Sequence, residues 1–275
     1  MSGDDTPQYS PVWLGLREVA DAQARSPELL EPLRRDLAGA APLVIRDLGC
    51  GTGSMGRWLA GRLPGPQHWI MYDRDPELLD HARAKMVDTA ADGAPVTVET
   101  RQRDITGLTA ADLVGASLIT ASALLDVLTL DEVNDLAAAC VGADCPALLV
   151  LSVVGQVELT PPDPLDVEIA AAFNAHQRRI TGGRRLLGPD AVDAAAEAFT
   201  RLGAKVLVRP SRWQLGADQV ELTAQWLRGW IAAACEQQPN LTARADAYLR
   251  QRLAAAEAGE LGIVVHHGDL LARPK

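Results

Sequence analysis

Aromatic residues are scarce, only 4% of the 275 positions. An aliphatic, helix-rich interior is expected. Cysteine occurs four times, as Cys50, Cys140, Cys145 and Cys235. No two make a C-x-x-C pair and no Cys/His cluster has zinc spacing, so neither a disulfide scaffold nor a metal site is expected. Reduced thiols in a cytoplasmic protein are expected instead. No apolar run reaches the roughly 20 residues a membrane span needs. The opening "MSGDDTPQYS" lacks the apolar stretch of a signal peptide. Positive charge is also short: 26 basic residues stand against 36 acidic ones, a net −10. Such a surface repels phosphate backbones, so the expected partner is a small molecule rather than nucleic acid or membrane, and the chain a monomer or homodimer.

What is present is alternation. Residues 12 to 38 have helical spacing, broken near Ser26-Pro27, with Leu29, Leu30, Leu33 and Leu37 recurring on one face. Apolar runs at 43–48, 68–73, 95–104, 116–122 and 147–154 read as strands, separated by helical segments such as "DPELLDHARAKM", with Asp75 as N-cap and Pro76 next. A loop "GQVELTPPDP", a helix over 165–180 and a second loop "TGGRRLLGPD" follow. Then come a helix, a sixth strand "AKVLVRP", a long helical stretch of about 218–258 and a seventh strand "GIVVHHG". Strands alternating with helices predict an α/β fold: a Rossmann-like, doubly wound, seven-stranded, mostly parallel sheet with an N-terminal helical lid and helical insertions. One domain is expected, with a cap over 1–41, a cofactor core over 42–154, a substrate-side insertion over 155–190 and the rest of the sheet over 191–275.

The stretch "DLGCGTGSMG" (47–56) carries two overlapping patterns. Gly51, Gly53 and Gly56 fit the dinucleotide spacing G-x-G-x-x-G. Asp47, Gly49, Gly51 and Gly53 fit D-x-G-x-G-x-G. Both patterns want an acid at the end of the second strand for ribose, and Asp73 supplies it. Asp47 separates them, because a carboxylate repels pyrophosphate and attracts an ammonium. At about 4 Å and an effective dielectric near 20 that sign is worth ~4 kcal/mol per charge pair. Asp104 ends the third strand where it can accept from an adenine amino group, with Ile105 beside it, and Ser122 ends the fourth.

These residues resemble the class I S-adenosylmethionine (SAM)-dependent methyltransferases: "DLGCGTG" is similar to their first motif, "YDRDPELLDHA" to their second-strand segment and "RDI" to their adenine segment. The resemblance spans roughly 43–154, and 190–208 loosely. It implies SAM as cofactor. By that resemblance Asp47 and the backbone of Gly49, Cys50, Gly51 and Gly53 hold the methionine part, Asp73 the ribose, Asp104 with Ile105 the adenine, and Ser122 the rim; Arg74 is a further cofactor-binding candidate. A nicotinamide-dependent oxidoreductase and a non-catalytic SAM-binding protein remain as alternatives.

Methyl transfer from a sulfonium needs alignment and a dry pocket, and a base only where the acceptor must lose a proton. Catalytic candidates are Asp126, four residues beyond the fourth strand, and His176. His266 and His267 alternate along a strand, so at most one faces a pocket. Trp13 and Arg17 in the lid, and Arg178 and Arg184 in a basic cluster, are candidate substrate contacts; arginine forks suit carboxylate or phosphate. The expected activity is methylation of O or N on a small, acidic metabolite. The helices between strands six and seven depart from the family, where those strands usually form a hairpin.

Overall fold

The computed structural model describes residues 9–274; residues 1–8 of the expected cap, and Lys275, lie outside the described residues. Helix α1 (Pro11–Ala24) starts where the Ser10 side chain accepts from Trp13 N, and it ends at Arg25. A short 3-10 turn at Pro27–Leu29 leads into α2 (Leu30–Asp36). The alternating core then runs β1 (Leu43–Leu48), α3 (Ser54–Ala60), β2 (Gln67–Asp73), α4 (Pro76–Lys85), β3 (Val96–Gln102), α5 (Ala110–Leu113), β4 (Leu118–Ser122), α6 (Leu130–Gly142) and β5 (Ala147–Thr160). Asp75 caps α4 by accepting from Glu77 N, and Thr129 with Glu132 forms a reciprocal capping box on α6; these local signals place helix starts directly. The second half holds α7 (Pro164–Gln177), a two-strand ribbon β6 (Ile180–Thr181) and β7 (Arg184–Arg185), α8 (Ala191–Arg201), β8 (Lys205–Leu215), α9 (Val220–Gln237), α10 (Thr242–Glu257) and β9 (Gly262–Arg273).

The main sheet has seven strands in the order β3-β2-β1-β4-β5-β9-β8. The first five are parallel and β9 is antiparallel to both β5 and β8. Two apolar clusters fill its faces: one under α1, α2 and α3 that, against the expectation of an aliphatic core, also buries Trp58, Trp69, Trp213 and Trp230, and a mainly aliphatic one under α6 and α8. Strand order reverses between β1 and β4. In such sheets the crevice at the carboxyl ends beside that reversal is the ligand site.

Two features differ from the sequence expectation, and a third agrees with its sixth and seventh strands. β5 does not stop at 154 but continues to Thr160, alternating half-buried or buried residues (Gly155, Val157, Leu159) with exposed ones, because β9 is long enough to pair with it as far as Gly262. The stretch "TGGR" is a hairpin and not a loop: Gly182 and Gly183 both take positive φ, +57° and +78°, as a tight turn between twisted strands requires. β8 and β9 are paired over their length although α9 and α10 interrupt them.

Candidate functional site

The glycine loop lies at the carboxyl end of β1. Gly49, Gly51 and Gly53 have φ of +62°, +55° and +84°, a region that L side chains rarely adopt. Gly56, by contrast, sits inside α3, where an added Cβ would come 2.6 Å from the Met71 methyl and 3.1 Å from Met86. Gly56 is thus explained by helix-on-sheet packing, and the dinucleotide spacing through it is incidental. Cys50 N donates to Tyr72 O at 2.9 Å, fastening the loop to β2. Burial holds the Cys50 thiol well above its ordinary pKa, so it is no thiolate.

Asp47 is fully buried. Its Oδ1 accepts from Thr120 Oγ1 at 2.7 Å, and Oδ2 has no partner. Burial lifts the carboxyl to about 7; the Thr120 bond and nearby Arg25 oppose this. Arg25, 2% exposed, reaches in from the end of α1. Its Nη2 donates to Ser54 Oγ and Ser122 Oγ, both at 3.2 Å, while Nε and Nη1 are buried without partners. Leaving such groups unmatched costs about 1–3 kcal/mol each. Thr120 and Ser122, two positions apart on β4, lie roughly 7 Å apart on one face of the strand. An unmatched acceptor and unmatched donors therefore border the same small region. A ligand carrying both an ammonium and a carboxylate satisfies both.

Further along the crevice, Asp73 Oδ2 accepts from Gly51 N at 2.9 Å and Oδ1 from Asp75 N at 3.0 Å. Asp104 Oδ1 accepts from Thr106 N and Oγ1 in a turn, which holds its pKa below the usual carboxylate range. Ile105 beside it is half-buried. Arg74 lies within electrostatic reach of Asp104.

Helix α1 covers this crevice with two stripes. One rests on the loop: Leu14 Cδ1 lies 3.1 Å from where a Gly51 Cβ would be, and Glu18 takes Nε and Nη2 of Arg57 at 2.7 and 2.6 Å. The other, Trp13, Arg17 and Asp21, faces β8 and β9. Trp213 Nε1 donates to Asp21 Oδ1 at 2.9 Å, the Arg17 guanidinium stacks 4.9 Å from the Trp213 ring, and Trp13 meets Trp213 edge-on at 6.5 Å. Arg17 is also within electrostatic reach of Asp126, whose carboxyl burial raises to about 6.

Residues 45–143 match the family model of a methyltransferase domain. That stretch runs from β1 to the end of α6, so the glycine loop and the acids beside it lie within a region similar to a methyltransferase domain. Among solved structures the chain shares its fold with the cyclopropane synthase MmaA2 of Mycobacterium tuberculosis, at 14% identity and TM-score 0.51, covering 98% of this chain and 100% of that one. A SAM-dependent methyltransferase of Geobacter sulfurreducens, in complex with S-adenosylhomocysteine (SAH), aligns at 15% identity and TM-score 0.44, covering 97% and 99%. A search of curated proteins finds none that matches. The unmatched atoms of Asp47 and Arg25 fit the amino-acid end of SAM, which supplies a methyl group on a positively charged sulfur.

The structure distributes the other candidate residues as follows. His176 stands between Glu236 (3.2 Å) and Arg179 (3.3 Å). Arg178 is bidentate to Asp190 at 2.6 and 2.7 Å, and Arg184 to Glu132 at 2.9 and 2.6 Å. These two guanidinium groups do not converge on a shared vacancy; each is neutralised by its own acid. His266 pairs with Glu158 at 2.7 Å, so His267 is the member of that pair turned inward. Sequence reasoning missed Arg25, Thr120 and Trp213. Thr120 lies two residues before the predicted rim residue Ser122, and Trp213 lies past the predicted end of its strand. Arg25 had one usable signal: a cation at the helix break Arg25-Ser26-Pro27, just upstream of the core. No helix among the described residues is long and apolar enough to cross a membrane.

Proposed function

We propose that the protein transfers the SAM methyl group to an O or N atom of a small molecule, with Asp47 and Arg25 gripping the two charges of the cofactor's amino-acid end. The observation that carries this reading is the pair of buried, unmatched groups of opposite sign at the carboxyl ends of β1 and β4. A pyrophosphate would satisfy Arg25 and be repelled by Asp47. Asp73 then holds the ribose edge, Asp104 and Ile105 the adenine, and the backbone of Gly49 to Gly53 the part between. The acceptor lies against Trp13, Arg17 and Asp126, beneath α1. That enclosure excludes water and aligns the reacting atoms, the main protein contribution to such a displacement. The ion pairs of Arg178 and Arg184 leave them little net charge to offer, so the reading does not include an acidic acceptor.

Calorimetry with two ligands tests it. SAH keeps the amino-acid zwitterion, and 5′-methylthioadenosine lacks it. The wild type should prefer SAH strongly. Arg25→Met and Asp47→Asn should each weaken SAH by roughly 30- to 150-fold, the loss of one buried charged contact, and leave methylthioadenosine nearly unchanged. Equal losses for both ligands, or a tight response to NAD(P), would sink the reading.

A further inference from the structure

We infer that His267 is the proton acceptor of the reaction, and that the methyl acceptor therefore presents an ionisable O–H or N–H toward β9; this rests on the methyl-transfer reading above. His267 lies in register with Val153 of β5 and Ser211 of β8. Its neighbour Gly268 turns to the other side, where an added Cβ would meet Val192 of α8 at 3.1 Å. His267 thus faces α1. It is 5% exposed, and Nδ1 is buried with no hydrogen-bond partner. Its ring packs 5.5 Å from Trp213, the residue that also carries Arg17 and binds Asp21. An unmatched imidazole nitrogen is therefore built into the same aromatic and charged wall whose Arg17 lies within electrostatic reach of Asp126.

The surroundings suit a base that starts neutral. Burial lowers the His267 pKa to about 4, with Arg17 adding to this and Asp21 opposing it. The charged and titratable groups facing it are Arg17 and Asp21 from α1 and His266 on its own strand; its register partners Val153 and Ser211 add none. In the reaction the acceptor's lone pair forms the new bond to the methyl carbon as the carbon–sulfur bond breaks, leaving that pair on sulfur. The acceptor's proton moves to the imidazole. The positive charge thus passes from sulfur to His267, where the Asp21 carboxylate only partly offsets the repulsion of its ion-pair partner Arg17, and the strained imidazolium then returns the proton to solvent. Asp126 orients the acceptor, Arg17 and Asp21, ion-paired at 2.9 Å, stiffen the wall, and the Trp13–Trp213 edge confines it.

The test uses His267→Gln, which keeps a polar, similarly sized side chain without a base, and His267→Asn as a second variant. Both should bind SAH within threefold of wild type. Failure of SAH to bind the wild type would sink methyl transfer itself and is distinguishable from failure here. Labelled-methyl transfer is then measured to a panel of a phenol, a benzoic acid, an imidazole, a primary amine, a tertiary amine and a thioether. Transfer to a proton-bearing member is expected, with kcat falling roughly 100-fold in both variants at pH 7 and recovering as pH approaches the acceptor's own pKa. Independently, nitrogen-15 spectra of histidine in the wild-type SAH complex should show a neutral His267 ring from pH 5.5 to 8. Transfer only to the tertiary amine or thioether, transfer to none, a pH-independent loss, or an imidazolium at pH 7 would each overturn the assignment.

Discussion

The Asp269 carboxylate accepts from the backbone N–H of Ser26 at 2.7 Å, joining positions 243 residues apart. It also takes Leu151 N at 2.8 Å and Ser211 Oγ at 2.6 Å. Leu151 is a left-handed residue (φ +57°) at a register shift of β5, so this one buried acid fixes a bulge, a neighbouring strand and the end of α1. Arg25 is the residue just before Ser26. Asp269→Asn turns an amide toward three donors and should cost about 1–3 kcal/mol. Thermal denaturation should show a lower Tm, and SAH affinity should fall with it because Arg25 loses its anchor. An unchanged Tm would contradict the anchoring role.

Asp47 predicts a pH-linked cofactor. Its folded pKa, about 7, lies above the ordinary value, so the free folded protein keeps a proton that the unfolded chain releases near pH 4. Stability from this group is full at low pH and is lost as pH rises from about 4 to 7. Asp47→Asn should therefore gain stability relative to wild type between pH 5 and 8. Binding of an ammonium beside Oδ2 favours the ionised acid and expels the proton. Calorimetry in two buffers of different ionisation enthalpy should find close to one proton released per SAH at pH 6, and almost none at pH 8.5 or in the Asn variant. Proton uptake would contradict the assignment.

Glu18 ties α1 to α3 through both bonds to Arg57. The pair is partly exposed, and such pairs contribute about 1 kcal/mol or less. If SAH leaves under α1, Glu18→Gln should leave Tm nearly unchanged and speed SAH dissociation about three- to tenfold. Stopped-flow tryptophan fluorescence reads the rate. An unchanged rate with unchanged Tm would mean that release does not pass under α1.

Gly56→Ala separates the packing role of this glycine from a ligand role. The new methyl meets the flexible ends of Met71 and Met86, and overpacking of this kind costs about 1–3 kcal/mol, offset by roughly 1 kcal/mol of helix propensity. Tm should drop slightly and SAH affinity stay within threefold. A large affinity loss with an unchanged Tm would restore Gly56 to the ligand loop.

Local chemistry explains which parts were legible beforehand. β1 and β2 are apolar runs closed by turn residues, and Asp75-Pro76 and Thr129 to Glu132 are caps that act within four positions, so their elements follow from short stretches. Asp47 was legible because charge next to a glycine loop has a sign. The far end of β5 was not: Gln156 and Glu158 alternate like a solvated loop, and only the distant β9 makes them a strand. Arg25 was hidden for the same reason. Its partners Ser54 and Ser122 are 29 and 97 residues away, and nothing in its neighbours announces them. The Gly182-Gly183 pair did hold a hairpin signal, since two adjacent glycines suit left-handed turn positions.

Among the described elements β9 comes last, after two helices that separate it from its partner β8. It brings both Asp269, which seats Ser26, and the inward-facing His267. Pairing β9 between β5 and β8 means inserting a late strand into the middle of a sheet, a step dominated by contacts distant along the chain and therefore slow. The earlier strands and the glycine loop can assemble well before it. During refolding, the cofactor crevice should thus gain its nucleotide end first and its amino-acid grip last, with competence to bind SAH arriving only when the final strand has slid into place.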